Sequence, residues 1–558
     1  MTADKAARLK PIAHHLFRQR DNMNLKIIIL RFYNQLRLVI KDQKNITGRE
    51  NQSTNKTNRK KGKILIFALS LLFGFGVTQI YAAFPPAGIA QQPETTPQLV
   101  NVSHPREFRG VWVATVANID WPSKRGLPVE QQKAELIQIL DQMQALNMNA
   151  LILQIRPAGD AFYASELEPW SIWLTGTQGK PPQPYYDPLQ FAIEESHKRN
   201  IELHAWFNPY RARAAERTNF APNHVAVEYP EYVYQYGDLL WMDPGAKVIE
   251  DKTYNVIMDV VRRYNVDGIH FDDYFYPYPK DGIEFPDSKT YNAYRAAGGT
   301  LSLADWRRDN VNRLIQRIYQ GIRAEKPNVK FGISPFGIYR PGQPPGIVGL
   351  DQYNALYADA KKWLEEGWVD YMAPQLYWRI DPPQQSYPVL LNWWTQNNPK
   401  GRHIYAGNYL SKLDGGNWSL AEFQRQVDIS RSKADRLSLG NIFFSMKVFR
   451  ENRLGVNNAF RNSIYRSPAL PPTMPWLDNE PPAPPTGVVA SVRQLSWNPA
   501  PSDDIRSWTL YKQIGNNWEL IRILPAAVTA VQVEPGTYAL SAVDKMENES
   551  LGVVAYVQ

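Results

Sequence analysis

Eight strand-like segments alternate with helical patterns between residues 109 and 448, and this alternation limits the fold more than any other feature of the sequence. Segments with helical periodicity lie over Val129–Leu146, Asp187–Arg199, Lys247–Tyr264, Ala304–Glu325 and Tyr353–Glu366. The strand-like segments are RGVWVATV, ALILQIRP, IELHAWFNP, GIHFDDYF, KFGISPFG, DYMAPQLYW, HIYAGNYL and NIFFSMKV. Eight βα pairs predict an α/β fold built on a closed (β/α)8 TIM barrel. A doubly wound sheet is the alternative, but no glycine-rich phosphate loop follows the first strand.

A second domain is predicted after the barrel. From Ser467 the sequence SPALPPTMPWLDNEPPAPPTG is rich in proline and lacks periodicity, which is typical of a connector. Short alternating segments with turn signals follow it, and they predict a small all-β sandwich. The stretches LSWNPA and YALSAVDKMENES resemble a fibronectin type III module. We expect this module to space or dock the barrel and to carry no chemistry.

The N-terminal part has the composition of a targeting segment. Residues 1–63 hold 16 Lys and Arg against 4 Asp and Glu, which leaves 47 against 50 in the rest of the chain. The formal charge of +9 therefore belongs to the leader and does not predict a nucleic-acid partner. An apolar run from Ile64 to Ile80 follows the basic cluster. It is typical of a signal peptide or of a membrane anchor, and both interpretations stay open. In either case we expect export of the part after Phe84.

These patterns divide the chain into six predicted parts. They are a basic segment over 1–63, a signal-peptide core or membrane anchor over 64–83, a linker over 84–105, the barrel over 106–466, a proline-rich linker over 467–485 and the β-sandwich over 486–558.

The stretch VDGIHFDDYFYPYP places two acids at the end of the fourth predicted strand. Active sites of TIM barrels lie at the carboxyl ends of the strands, so either acid could be catalytic. The two-residue period of a strand puts Asp272 on the inward face with His270 and turns Asp273 outward. Asp272 is therefore the predicted nucleophile or charge-stabilising group, with Asp273 as its support. The competing interpretation is that both aspartates cap the turn after the strand.

Glycoside hydrolysis usually needs a second carboxyl group. Asp160, in the loop after the second strand, is the best candidate, since Asp243 and Asp187 have the pattern of helix N-caps. Aromatic residues that include Trp378 cluster near the strand ends, where sugar rings could stack on them. His204, on the third strand, also faces inward. No compact metal-ligand spacing is present, so we expect neither a metal nor another cofactor.

Several longer blocks resemble the glycosyl hydrolase-like 10 family. They run in order from about Arg106 to Arg466 and include REFRGVWVATVANIDWPS, RPAGDAFYASELEPWS, HAWFNPYR, DPGAKVIEDK, DGIHFDDYFYPYP, ADWRRDNVN, GISPFGIYR and APQLYW. The resemblance implies an exported bacterial (β/α)8 glycosidase, and the family includes a cell-division enzyme that cuts peptidoglycan strands stripped of their peptides. The residues to which it gives weight are Arg156, Asn208, Asp272, Asp273, Tyr274, Tyr276, Gln375 and Tyr377. It does not identify the general acid.

The predicted function is hydrolysis of a β-linked amino-sugar polysaccharide, with peptidoglycan as the first candidate. We expect the protein in the periplasm or cell envelope, with membrane contact through the N-terminal hydrophobic segment. Two alternatives stay open, a non-catalytic glycan-binding protein and a hydrolase of another exopolysaccharide. Fold analogy by itself does not identify a substrate.

Overall fold

The computed structural model describes residues 97–215, 219–502 and 504–558. The predicted basic segment, the hydrophobic segment and most of the first linker lie outside the described residues. In the part of the chain that is described, no helix has the length and apolar character needed to cross a membrane.

A closed barrel of eight parallel strands forms the centre of the structure, as the sequence predicts. Each strand pairs with its neighbours in the sequence, and the last pairs with the first. The strands are β1 (Phe108–Val113), β2 (Ala150–Arg156), β3 (Glu202–Phe207), β4 (Gly268–Phe271), β5 (Lys330–Ile333), β6 (Tyr371–Met372), β7 (His403–Asn408) and β8 (Ser438–Phe443).

Helices follow each strand and cover the outside of the barrel. The principal ones are Val129–Ala145, Pro188–His197, Lys247–Arg263, Leu303–Glu325, Ala360–Glu366, Tyr387–Gln396 and Leu420–Arg431, and Met446–Arg450 and Val456–Ala459 follow β8. The predicted helix Tyr353–Glu366 is instead two helices, Gln352–Ala355 and Ala360–Glu366. Asp359 separates them, because its side chain accepts a hydrogen bond from the backbone N–H of Lys362 and starts the second helix.

The inside of the barrel is filled by rings whose polar atoms bond to one another. The Tyr371 hydroxyl lies 2.8 Å from His204 Nδ1 and 2.9 Å from His270 Nδ1. Glycine gives these rings room, since a Cβ at Gly268 would stand 2.5 Å from His204 Nδ1 and one at Gly332 would overlap the Tyr371 ring. The barrel is therefore a packed core, and ligands can enter it only at its ends.

The connection after β3 carries an added antiparallel sheet at the mouth of the barrel. Its strands are Arg211–Arg213, Val233–Tyr236 and Leu239–Met242, with the last in the middle. Trp241, on the central strand, donates from its indole N–H to the carbonyl of Phe275 at 3.0 Å. This bond joins the added sheet to the loop that follows β4.

The C-terminal residues form two antiparallel sheets. The larger has the order Leu99–Val100, Gly552–Val557, Gly536–Asp544, Ile505–Ile514 and Asn517–Pro525, and the smaller joins Val489–Ser491, Gln494–Ser496 and Ala530–Gln532. An all-β region after the barrel is thus confirmed. Leu99 and Val100 precede the barrel in the sequence and pair with the strand Gly552–Val557.

This β region packs on the amino ends of the barrel strands. Arg506 forms an ion pair with Asp267, the residue before β4. The proline-rich connector packs on the same end: Trp476 donates to Asp370, the residue before β6, at 2.9 Å. Met474, also in the connector, belongs to a buried cluster with side chains from inside the barrel. The opposite end, where the strands terminate, stays open.

Candidate active site

A cavity of about 340 Å³ opens at the carboxyl ends of the barrel strands. Its lining combines carboxyl, amide, guanidinium and aromatic groups from strand ends and from the loops that follow them. The residues are Trp112, Ala114, Val116, Ile119, Gln154, Trp206, Arg211, Asp272, Asp273, Tyr274, Tyr278, Ser334, Gln375, Tyr377, Tyr409 and Phe444. This is the end of the barrel at which TIM-barrel active sites lie.

Asp272 lies at the bottom of the loop after β4 and is only 5% exposed. Trp206 Nε1 donates to its Oδ2 at 3.0 Å, and Asn208 Nδ2 donates to its Oδ1 at 3.1 Å. The backbone N–H of Tyr274 donates to Oδ1 at 3.3 Å. Burial raises the pKa of Asp272 to about 6, the Arg211 guanidinium opposes that shift, and the neighbouring Asp273 adds to it.

Asp273 lines the same cavity, so the expected outward orientation is wrong. Gln375 Nε2 donates to its Oδ1 at 2.9 Å, and the Tyr278 hydroxyl donates to its Oδ2. Burial raises the pKa of Asp273, against the effect of both hydrogen bonds. The two-residue alternation fails here because β4 ends at Phe271, and both acids belong to the loop beyond it.

Arg211 brings a positive charge to the cavity from the added sheet. Its Nε donates to the carbonyl of Pro157 at 2.9 Å, and its guanidinium stacks on the Tyr274 ring at 5.1 Å from the ring centre. Among the described residues its two Nη groups have no hydrogen-bond partner. A guanidinium that is held through Nε and has no protein partner at its two Nη groups is suited to binding an anionic group of a ligand.

Aromatic rings form much of the cavity wall. Tyr377 and Tyr409 stack with ring centres 4.7 Å apart, and Tyr274 meets Tyr278 edge to face at 5.4 Å. Flat apolar faces between polar groups are the surfaces on which sugar rings stack. The expected roles of Tyr274 and Tyr377 in substrate contact remain predictions, and both rings are in position for them.

Two of the predicted substrate-binding residues lie behind the cavity. Arg156 is fully buried, with Nε donating to Glu168 at 2.8 Å and Nη1 to the carbonyl of Asn208 at 2.7 Å. It therefore holds the loop that carries Asn208 and does not line the cavity. His204 lies inside the barrel, where Nε2 is 2.9 Å from Glu202. Asn208 itself touches Asp272 and so positions it.

Three further candidates are also outside the cavity wall. Asp160 lies over a separate small cavity and accepts a hydrogen bond from the backbone of Ala158 at 3.2 Å. Burial raises the pKa of Asp160 to about 6. Its carboxyl group, however, does not line the cavity that contains Asp272 and Asp273. Tyr276 is buried among aromatic rings, and Trp378 packs edge to face on Phe336 at 5.5 Å.

The wall residues that the sequence interpretation missed include Trp112, Arg211, Tyr409 and Phe444. Trp112 has the inward phase of β1, so strand periodicity could have identified it. Arg211 is the last residue of the block HAWFNPYR. It lies several residues after β3, and it reaches the cavity because it belongs to the added sheet. Within the described residues, no group of three or more metal-ligating side chains is present.

Two curated relatives carry the name glycosyl hydrolase. The chain is 45% identical over 404 residues to glycosyl hydrolase YngK of Bacillus subtilis, covering 70% of this chain and 78% of that protein. It is 36% identical over 377 residues to glycosyl hydrolase DigH of Escherichia coli K12, covering 62% of this chain and 83% of that protein. A model of the glycosyl hydrolase-like 10 family matches residues 107–421. The chain belongs to the glycosyl hydrolase-like 10 family. It is a glycosidase, and the resemblance seen in its sequence blocks is confirmed.

Among solved structures, the glycoside hydrolase domain of PgaB (BpsB) from Bordetella bronchiseptica is similar with a TM-score of 0.42 and 13% identity. The similarity covers 64% of this chain and 98% of that domain. A likeness of this size says nothing about the substrate of this member of the glycosyl hydrolase-like 10 family.

Proposed function

We propose that the protein is an exported hydrolase of β-linked amino-sugar glycans and that peptidoglycan glycan strands are its substrate. One observation carries the proposal. Two buried acids with raised pKa values, Asp272 and Asp273, lie in an aromatic-walled cavity at the mouth of the barrel. Carboxyl groups with raised pKa values are the acids and bases of glycoside hydrolysis, and aromatic walls hold sugar rings against them.

Arg211 supports a substrate that carries an anionic group. The muramic acid residues of peptidoglycan bear a lactyl carboxylate, which is free where the peptide has been removed. A carboxylate can accept two parallel hydrogen bonds from a guanidinium, and Arg211 lines the cavity. This geometry favours peptide-free strands over chitin, which has no carboxylate.

The purified full-length protein should release new reducing ends from peptide-free glycan strands, with products identified by mass spectrometry. Intact sacculi and chitin oligomers are the comparison substrates. The Asp272→Asn variant should bind the strands without cleaving them. Arg211→Ala should lower kcat/KM on peptide-free strands by about 10-fold or more beyond its effect on chitin oligomers, because the loss of its charge next to Asp272 affects both substrates alike.

Three outcomes would contradict parts of this function. Binding without cleavage by the wild-type protein would indicate a glycan-binding role. Cleavage confined to a different polysaccharide would exclude peptidoglycan. Equal effects of Arg211→Ala on both substrates would contradict the proposed contact between Arg211 and the lactyl carboxylate.

Export is proposed from the basic cluster and the apolar run over 64–80. A C-terminal fusion to alkaline phosphatase, which is active only after export, tests it. Full phosphatase activity is expected with the natural N-terminus, and loss of activity is expected when residues 64–80 are deleted. Equal phosphatase activity with and without the segment would contradict the proposal. Fractionation of the same cells separates a cleaved, released protein from an anchored one.

A further inference from the structure

The two carboxyl groups of the cavity come from consecutive residues of one loop. Asp272 and Asp273 follow β4 directly. β8 lies opposite β4 in the ring of eight strands, and the residue that lines the cavity after its end is Phe444. Among the described residues of the cavity wall, no further carboxylic acid is present. Both acids therefore approach a bound sugar from the same wall.

A glycosidase that uses two protein carboxyl groups, one as the acid and the other as nucleophile or base, needs them on both sides of the bond that is cut. Retaining pairs stand about 5–5.5 Å apart and inverting pairs about 6.5–9.5 Å apart, and in both cases they act on opposite sides of the anomeric carbon. Asp272 and Asp273 are consecutive residues of the loop after β4, so their carboxyl groups reach a bound sugar from one wall of the cavity. Phe444, which lines the cavity after the opposite strand β8, has no nucleophilic group.

We propose that the sugar supplies its own nucleophile, through the carbonyl oxygen of its 2-acetamido group, and that Asp272 and Asp273 divide the proton transfers between them. The proposal rests on the proposed function, because it requires a 2-acetamido sugar at the cleaved bond. The amide oxygen forms a bond to C1 while the bond from C1 to the leaving sugar breaks. Asp273 gives its proton to the leaving oxygen, and the Asp272 carboxylate takes the amide proton. The product of this step is a neutral bicyclic oxazoline.

The hydrogen bonds around each acid assign the two roles. The groups that contact Asp272, Trp206 Nε1, Asn208 Nδ2 and the N–H of Tyr274, are all donors that cannot accept a proton in return. They favour the ionised form, which is the form that can take the amide proton. Asp273 accepts one hydrogen bond from Gln375 Nε2, but its other oxygen contacts the Tyr278 hydroxyl, which can accept as well as donate. A protonated carboxyl group is therefore tolerated at Asp273.

The second half of the reaction reverses these transfers. A water molecule attacks C1 of the oxazoline from the side that the leaving sugar vacated, and the bond from C1 to the oxazoline oxygen breaks. The Asp273 carboxylate takes a proton from the water. Asp272 returns its proton to the nitrogen, and the acetamido group is restored. Two displacements at C1 leave the product with the configuration of the substrate. Neither step needs a cofactor or a carboxyl group on the opposite wall.

The test is a series of activated aryl β-glycosides of chitobiose, in which the acyl group next to the cleaved bond is acetyl, fluoroacetyl or trifluoroacetyl. Fluorine makes the amide oxygen a poorer nucleophile, so kcat/KM of the purified full-length protein should fall along the series, by about 100-fold or more at trifluoroacetyl. A thiazoline analogue of the oxazoline should inhibit competitively. Proton NMR of fresh product should show retained configuration.

Two variants separate the two acids. Asp273→Asn should lose cleavage of glycan strands but keep most of its kcat/KM for release of dinitrophenol from a 2,4-dinitrophenyl glycoside, because kcat/KM reports the first step and this leaving group needs no proton. Its kcat should fall, because the second step then lacks its base. Asp272→Asn should be slow on both substrates, because the amide proton has no acceptor. Asp160→Asn, a buried acid away from the cavity, is the matched control and should keep both activities.

The outcomes distinguish this mechanism from the function on which it rests. Equal rates across the acyl series, absence of thiazoline inhibition or an inverted product would overturn the mechanism while leaving an amino-sugar hydrolase in place. A large loss of kcat/KM for dinitrophenol release in Asp273→Asn, with a native circular dichroism spectrum, would overturn its role as the acid. Failure of the wild-type protein to cleave any 2-acetamido glycan would overturn the proposed function itself.

Discussion

Asp272 should make the folded protein less stable as the pH rises, and replacing it by Asn should remove this dependence. Burial raises its pKa from the ordinary value of 3.8 to about 6. A group whose pKa is higher in the folded state stabilises that state fully below pH 3.8, and this stabilisation is lost as the pH rises through about 6. The loss follows because the folded state must then hold a buried charge.

The size of the effect follows from the pKa difference. A rise from 3.8 to about 6 corresponds to about 3 kcal/mol of unfolding free energy, of which roughly half is lost between pH 5 and pH 8. Asn does not titrate, so hydrogen bonds that it makes or loses shift its stability by an amount independent of pH. The unfolding free energy of Asp272→Asn minus that of the wild type should therefore increase by about 1.5 kcal/mol from pH 5 to pH 8.

Urea denaturation of both proteins at pH 5, 6, 7 and 8, followed by tryptophan fluorescence, measures this difference. Asp160→Asn is the comparison variant, because burial also raises the pKa of Asp160 to about 6. Both variants should show the same pH trend in stability, but only Asp272→Asn should lose glycan cleavage. A difference for Asp272→Asn that is flat with pH, or that falls, would refute the argument that this carboxylate is desolvated.

Four further predictions concern activity and folding. Because Asp272 must be ionised, kcat/KM on glycan strands should fall tenfold per pH unit below about pH 6, and a profile that is flat to pH 4.5 would contradict this. Asn208→Ala removes a donor to that acid, so kcat should fall by about 100-fold with KM nearly unchanged, and a change in KM alone would contradict a positioning role. Glu168→Gln leaves the buried guanidinium of Arg156 without its counter-ion, so the unfolding free energy measured in urea should fall by about 3–5 kcal/mol. An unchanged unfolding free energy would show that the ion pair adds no stability. Arg506→Met breaks the ion pair between the β region and the barrel, so limited proteolysis should release a barrel fragment faster than in the wild type, and equal rates would contradict that contact as a restraint.

The barrel could be predicted because its signals are local. Each strand and helix shows its own hydrophobic period, and eight such pairs in order have few ways to pack. The break between Gln352–Ala355 and Ala360–Glu366 escaped the prediction, because apolar spacing continues through Asp359 while its side chain starts a new helix. The position of the β region against the barrel could not be predicted either. It depends on long-range contacts such as the pairing of Leu99 with Val553, which are separated in the sequence by the whole barrel.

The sequence by itself determined the eight βα pairs, the β region after them and the position of the two acids at the end of the fourth strand. The tertiary structure decided which groups meet there. Asp273 turns into the cavity because β4 stops at Phe271, and Arg211 reaches it because an added sheet folds over the mouth. The sequence pattern placed Arg156 and Asp160 in the site, but in the structure neither lines the cavity. Arg156 is bonded to Glu168, and Asp160 is bonded to the backbone of Ala158. The physical reason is that periodicity is local information, which reports only which face of one helix or strand is buried. An active site is formed by side chains from elements that are far apart in the chain.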